Sequence, residues 1–253
     1  MKIEGFIVHL KRATARRAQV ERLMADLPVE NHVVDAVDGQ DLGDEEIGQR
    51  YGKRLHQPVY PFTLKKSEIA CFLSHRKVWR MIVERGLDAG LIVEDDVALD
   101  MPLFERCLEL AKRACTGKAY VQFRISPVRG SARELAREGD VRLVAPEVSQ
   151  LGTVAQLVTR EAAEHLLALS ERFDRPVDVF LQMRWVTGIA PCCVVPSGIS
   201  DQSAEIGGST VNVSGKDKRG PGERLRREWK RFVYRGQVRK YSRGWRAGEV
   251  QKQ

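Results

Sequence analysis

The alternation of apolar and polar positions divides the chain into strands and helices. Residues 3–10 (IEGFIVHL) form a short apolar run that predicts a first strand. Val20, Leu23 and Met24 lie on one side of the charged segment 13–25, which predicts a helix. Residues 31–37 read as a second strand, ending in the acidic turn Asp35-Ala36-Val37-Asp38-Gly39. The polar stretch 40–66, with Pro58 and Pro61, predicts an irregular excursion. Ser67 then N-caps a long helix with an apolar stripe of Ile69, Phe72, Leu73, Trp79, Ile82 and Val83, ended by Gly86. Residues 89–93 are a third strand, followed at once by Glu94-Asp95-Asp96, and Pro102 starts a helix that reaches Ala114. Beyond it the pattern predicts strands at 119–124, 141–144, 152–159 and 189–195, a charged loop over 127–140, and helices at 161–169 and 178–185. Gly207-Gly208-Ser209 and residues 215–222 read as a linker into a tail, and no internal repeat is visible.

Strands alternating with helices predict an α/β domain with a largely parallel sheet. Such sheets bind ligands beyond the carboxyl ends of their strands. That rule singles out three places: His9–Arg12, Asp35–Asp38 and Glu94–Asp96.

Composition narrows the function classes. Apolar residues make up 43% of the 253, enough for a core and too many for a disordered chain. No apolar run is long enough to cross a bilayer, and the opening MKIEGFIVHLKRA reads as a strand instead of a signal peptide. Five cysteines without a CxxC pair argue against a disulfide framework or zinc knuckle, and Cys192-Cys193 read as buried, inert thiols of a cytosolic protein. The net charge of +8 is uneven: residues 216–253 hold 14 Lys and Arg against 4 Asp and Glu, while the first 215 hold 28 against 30. We therefore divide the chain into a near-neutral body, 1–215, and a basic tail, 216–253.

The tail carries Leu225, Trp229, Phe232 and Val233 at helical spacing among Arg and Lys, with Tyr234, Tyr241 and Trp245 as further aromatics. A basic amphipathic helix of this kind suits an anionic membrane surface. It also suits a helix docked on its own domain, and nucleic acid is disfavoured because no recognised binding motif accompanies the charge.

Three carboxylates directly after an apolar strand concentrate charge that a cation would relieve, Mg²⁺ or Mn²⁺ shared with a diphosphate being the usual answer. An acidic turn in water is the bland alternative. On the preceding helix, Glu68, Cys71 and His75 share a face, so Glu68 and His75 could line a pocket beside the acidic strand end, or His75 could be a satisfied core histidine. No GxGxxG or GxxxxGK[ST] follows the first strand, which disfavours a dinucleotide oxidoreductase and a P-loop enzyme.

The run LKKSEIACFLSHRKVWRMIVERGLDAGLIVEDDVALD resembles glycosyltransferase family 25, which pairs a "gEiGC-SH-W" helix with an "I-EDD" strand end. IVHLKRATARRAQVERL, VVDAVDGQDL, LGTVAQLVTREAAEHLL and RPVDVFLQ are similar to further blocks of that family, in order, from about residue 3 to 210. Ala70 replaces a glycine of the pattern, and Gln156 replaces a tyrosine, a change expected to touch the acceptor site. The tail is not part of the pattern.

The resemblance implies a GT-A-type fold and inverting transfer of a hexose, usually galactose from UDP-galactose, assisted by Mn²⁺ or Mg²⁺. Carried onto this chain, it implies that Asp96, helped by Asp95, holds the metal. Donor contacts are expected from His9, Leu10, Arg12, Arg16, Ala36, Val37, Asp38, Ser74, His75 and Asp95, with Arg16 or Arg17 pairing a phosphate or bridging Asp35 or Asp38. Asp178 is the expected base, with its role as a helix N-cap the competing explanation, and Glu94 is the second candidate base. The expected acceptor is a lipid-linked saccharide of the lipopolysaccharide or lipooligosaccharide type, met at the inner face of a bacterial inner membrane. The alternative is a non-catalytic adaptor that binds a membrane surface or polyanion through the tail.

Overall fold

The computed structural model describes residues 1–204 and 220–245. Gly207, Gly208, Gly215 and the 215/216 boundary lie outside the described residues, whereas the end of the expected linker is helix: Gly220 is an N-cap and Gly222 lies in the first turn.

Among the described residues ten strands form: β1 (Ile3–His9), β2 (Asn31–Asp35), β3 (Ala89–Glu94), β4 (Val97–Leu99), β5 (Tyr120–Phe123), β6 (Ala132–Glu138), β7 (Val141–Pro146), β8 (Ala155–Thr159), β9 (Cys192–Val195) and β10 (Ile199–Asp201). Eight of them make one sheet in the order β2-β1-β3-β8-β5-β9-β7-β6, and β10 pairs with β4. Six of the eight strands point one way, while β7 and β8 run against them. The α/β class and the largely parallel sheet are as expected.

The sheet is covered on both faces, so its central strands are apolar throughout instead of alternating. Along β1 and β3, neighbouring side chains enter opposite layers. Phe6 and Ile92 pack under α3 (Lys66–Glu84) and α5 (Arg160–Leu169). Ile7, Leu91 and Val93 pack under α1 (Arg17–Asp26) and α4 (Met101–Ala114). Gly90 lets α3 lie close on the sheet, because a Cβ there would sit 2.5 Å from Ile82 Cδ1.

Several local expectations change. The excursion 40–66 contains a short helix, α2 (Asp44–Arg50). Residue Lys65, not Ser67, precedes α3, and Glu68 reaches back to accept the Lys65 backbone N–H at 2.7 Å. Met24 is 44% exposed, outside the stripe of Val20 and Leu23. The expected loop 127–140 contains β6, a hairpin partner of β7. The helix expected at 178–185 is two short ones, α6 (Val177–Leu181) and α7 (Arg184–Thr187). All five cysteines are free.

The tail contains a long helix, α8 (Pro221–Gly244), which docks on the domain. Tyr234 and Val238 are buried in the core under α3, and Tyr234 meets Tyr60 edge-on while its hydroxyl accepts from Arg175 Nη1 at 2.9 Å. Tyr241 packs on Trp185, and Trp245 lies under the Arg184 guanidinium. Among the described residues, no helix is long and apolar enough to cross a membrane.

Candidate active site

Because β1 lies between β2 and β3, with His9 opposite Asp35 and Val8 opposite Glu94, the three strand ends singled out in the sequence meet. They frame an open cleft lined by Leu10, Arg12 and Arg16 after β1, Ala36 and Val37 after β2, Ser74 and His75 on α3, and Glu94, Asp95 and Asp96. Eight of the ten expected donor residues line this cleft. His9 and Asp38 do not: each instead holds a residue that does.

The acidic triplet divides its work. Asp95 is 4% exposed and points inward. One of its oxygens meets His9 Nδ1 at 2.6 Å, and the other accepts from the buried Arg16 guanidinium. Both oxygens have a protein partner, so Asp95 braces the strand end, while each keeps a lone pair that the expected shared role at a metal would use. Asp96 stays in the cleft, with one oxygen 3.2 Å from Arg16 Nη1. Burial, reinforced by the charge of Glu94, raises its carboxyl to about 6 despite Arg16. Arg16 therefore bridges Asp95 and Asp96, not Asp35 or Asp38, and Arg12 takes Asp38.

Glu94 turns the other way. Its Oε1 accepts from Thr153 Oγ1 at 2.8 Å and lies 3.8 Å from His75 Nε2. Burial alone would raise this carboxyl, but His75 and Thr153 outweigh it and leave it below the usual range. His75 is 1% exposed and its Nδ1 has no hydrogen-bond partner. A buried orphan nitrogen on a cleft wall is costly until a ligand or water meets it. Glu68 lies at the start of α3 and does not line the cleft. Ser74 positions the opposite wall: its hydroxyl donates to the Ala70 carbonyl and accepts from Val37 N, both at 2.8 Å.

Asp178 is the second residue of α6, after Pro176, so it is not the N-cap. Its Oδ1 accepts from Val179 N at 2.8 Å and its Oδ2 from Gly152 N at 3.2 Å. Burial raises this carboxyl above the usual range, against those two donors and helped by the charges of Glu94 and Glu68. Asp178 and Glu94 are thus joined through adjacent residues, Gly152 by its N–H and Thr153 by its hydroxyl. Gly152 holds φ +102, a conformation that side-chain-bearing residues rarely adopt. The sequence carried this bridge in its "LGT" block without showing what the residues touch.

Cys71 and Gln156, both noted in the sequence, take different places in the fold. Cys71 lines the cleft, and burial pushes its thiol well above the ordinary value, so it is not a poised nucleophile. Gln156 is fully buried. It accepts from Tyr120 Oη at 2.6 Å and donates to the Thr153 carbonyl at 2.9 Å. Gln156 thus supports the backbone at Thr153 from beneath.

For a divalent cation, the donor set offers Asp96 on the cleft wall, with its charge incompletely offset by Arg16. The triplet does not gather three ligand atoms by itself. Among the described residues the group that does so is Glu4, Glu30 and His32, where Glu4 is already held by Arg85 at 2.6 Å. The cleft therefore fits a cation that takes Asp96 from the protein and oxygens from a bound diphosphate.

The family profile described as "Glycosyltransferase family 25 (LPS biosynthesis protein)" matches residues 2–181. The chain is 29% identical over 185 residues to a Drosophila melanogaster "Glycosyltransferase 25 family member", covering 70% of this chain and 30% of that one. It is 32% identical over 194 residues to human "Procollagen galactosyltransferase 2", at 72% and 30% coverage. It is also 32% identical over 189 residues to mouse "Inactive glycosyltransferase 25 family member 3", at 70% and 31%. The chain spans under a third of the length of these relatives. A solved structure, "Crystal Structure of A197 from STIV", superposes with TM-score 0.37 at 13% identity over 78% of this chain and 83% of that one, too loose a likeness to bear on function.

Proposed function

The chain belongs to glycosyltransferase family 25, and on that premise we propose that it is an inverting transferase moving galactose from UDP-galactose onto a lipid-linked saccharide of the lipopolysaccharide or lipooligosaccharide type. The observation that carries this reading is the division of the acidic triplet: Asp95 is locked by His9 and Arg16, which leaves Asp96 facing a cleft framed by three strand ends. The donor sugar follows the galactosyltransferase relatives. The acceptor follows the family's description, together with the basic helix beside the domain.

In this reading Leu10, Ala36 and Val37 form the wall against the donor's uridine, and Arg12 is held at its mouth by Asp38. Asp96 would hold Mn²⁺ or Mg²⁺, which when bound supplies a Lewis acid for the leaving diphosphate. Arg16 fixes the angle of Asp96 and adds positive charge on the same side. His75, with its orphan Nδ1, offers a hydrogen bond to the donor. Asp178 takes the proton of the acceptor hydroxyl. A carboxylate raised by burial is a better base near neutrality than one lowered by hydrogen bonds, which favours Asp178 over Glu94. Glu94 holds Thr153 in place and so supports the Gly152 contact to Asp178.

The test is a thermal-shift panel of UDP-, GDP- and CMP-sugars, with and without Mn²⁺, on wild type and Asp96→Ala, followed by a transfer assay. A ligand at one hundred times its dissociation constant stabilises the native state by about 2.7 kcal/mol. The expected result is a shift with UDP-galactose that needs both Mn²⁺ and Asp96. A folded protein that responds to no nucleotide sugar would sink the transferase reading and leave the adaptor, a reading that the relatives named as inactive make worth testing.

A further inference from the structure

Helix α8 is amphipathic twice over. Tyr234, Val238 and Tyr241 form one face, at i, i+4 and i+7, and pack onto the domain. Leu225, Trp229 and Phe232 repeat the same spacing nine residues earlier. Nine steps of about 100° end half a turn away, so the two triplets lie on opposite sides of the helix. The outward side chains are 73%, 64% and 75% exposed. The docked face already accounts for the stability of the helix, so these three large apolar residues are left without a role in the fold.

We propose that this outer face of α8 seats the protein on an anionic lipid bilayer, a proposal that names the partner of the transferase reading above and rests on it for its purpose. Three observations select this occupant. By the same rotation the exposed triplet is flanked by Arg226, Arg235, Arg239 and Lys240, with one acid, Glu228, beside them. Apolar side chains inserting below a layer of basic ones is the arrangement that binds a headgroup boundary, and Trp is suited to that depth. A polyanion in solution would use the basic residues and gain nothing from Leu225 and Phe232. A second copy of this chain, paired two-fold on the same face, would bring two basic helices together.

The placement also explains why such a seat would serve transfer. The docked face of α8 touches Tyr60 and Arg175, and Arg175 lies three residues before Asp178 in the chain. The charge of Asp178 reaches both Tyr60 and Tyr234. The membrane-facing helix thus backs onto the neighbourhood of the residue assigned to the acceptor hydroxyl, not onto the far layer under α1 and α4.

The experiment is co-sedimentation of the full chain with phosphatidylcholine vesicles, with and without phosphatidylglycerol, at low and high salt. It is run on wild type and on the triple variant Leu225→Ser, Trp229→Ser, Phe232→Ser. Wild type should pellet with the anionic vesicles, release in high salt and show a blue shift of Trp229 emission that Trp229→Phe removes. The triple variant should partition roughly tenfold or more weakly. It should also keep the melting temperature and the UDP-galactose shift of wild type, which separates loss of the seat from failure of the transferase reading. Wild type that ignores anionic vesicles overturns the proposal, as does a triple variant that binds as well. A dimer in light scattering that the triple variant abolishes, without vesicle binding, would assign the face to a second copy.

Discussion

Asp95 is where a metal ligand and a structural brace make opposite predictions. Arg16 and Asp95 are 3% and 4% exposed, and His9 takes the remaining carboxylate oxygen at 2.6 Å. Replacing Asp95 by Asn keeps the shape but leaves a buried guanidinium without its principal counter-charge. Breaking a buried pair from one side costs about 3–5 kcal/mol. For a domain of this size each kcal/mol moves the melting temperature by about 2–4 °C, so the expected loss is about 6–20 °C. The reference variant is Asp96→Asn, in which Arg16 keeps Asp95 and stability should hardly fall. Urea titration and thermal melts, both without metal or nucleotide, measure the two costs. The Mn²⁺-dependent donor shift is then read on whichever variants stay folded. The expected pattern is crossed: Asp95→Asn loses stability, whereas Asp96→Asn loses the donor shift. Replacing the pair together, Arg16→Met with Asp95→Leu, should recover much of the lost stability without restoring donor binding. An Asp95→Asn protein that melts with wild type and has lost only its Mn²⁺ response would refute the brace and return Asp95 to the metal.

Asp178 holds its proton to higher pH than an ordinary carboxyl and can act as a base only after losing it. The acidic limb of kcat/KM should therefore rise through a pKa above the usual value of about 4, and a limb at that ordinary value would count against the assignment. Asp178→Asn should lower turnover by about 10²–10⁴-fold with the UDP-galactose thermal shift intact, and full turnover would remove Asp178 from the proton transfer. Gly152→Ala forces a side chain into φ +102, at a cost of about 1–3 kcal/mol by denaturant titration, and should lower kcat more than donor affinity. Tyr234→Phe withdraws a partner from the fully buried Arg175 and should cost about 1–3 kcal/mol, and a neutral result would mean that α8 is not held there.

The parts of the site that the sequence announced are those carried by adjacent residues. Apolar runs ending in His9, Asp35 and Glu94 were visible, and the rule that ligands sit beyond strand ends brought them together correctly. What distinguishes Asp95 from Asp96 is which way each turns after β3, and that depends on Arg16, seventy-nine positions away. Asp178 was picked out, but its partner Gly152 is reached only because β8 inserts antiparallel between β3 and β5, a pairing that leaves no local signal. Strand β6 was missed because ARELARE has no apolar face: all but one of its residues are exposed, and pairing with β7 alone decides its conformation. In α8 the helical spacing was legible, yet two opposed apolar faces look like one scattered set until the domain covers one of them.

The same strand has a meaning outside the chemistry. β6 ends the eight-stranded sheet, and an open edge of unpaired backbone groups invites another sheet to join. Arg133, Glu134, Arg137 and Glu138 stand along it, Arg137 and Glu134 clasp each other at 2.8 Å, and the register slips between Glu134 and Ala136. Charges and a bulge make this edge a poor template for a neighbouring molecule. A protein that gathers on a two-dimensional surface reaches local concentrations far above those in solution, where a flat, apolar border would nucleate aggregates. On the proposed membrane seat, the charged, irregular margin of β6 would keep crowded copies from joining edge to edge.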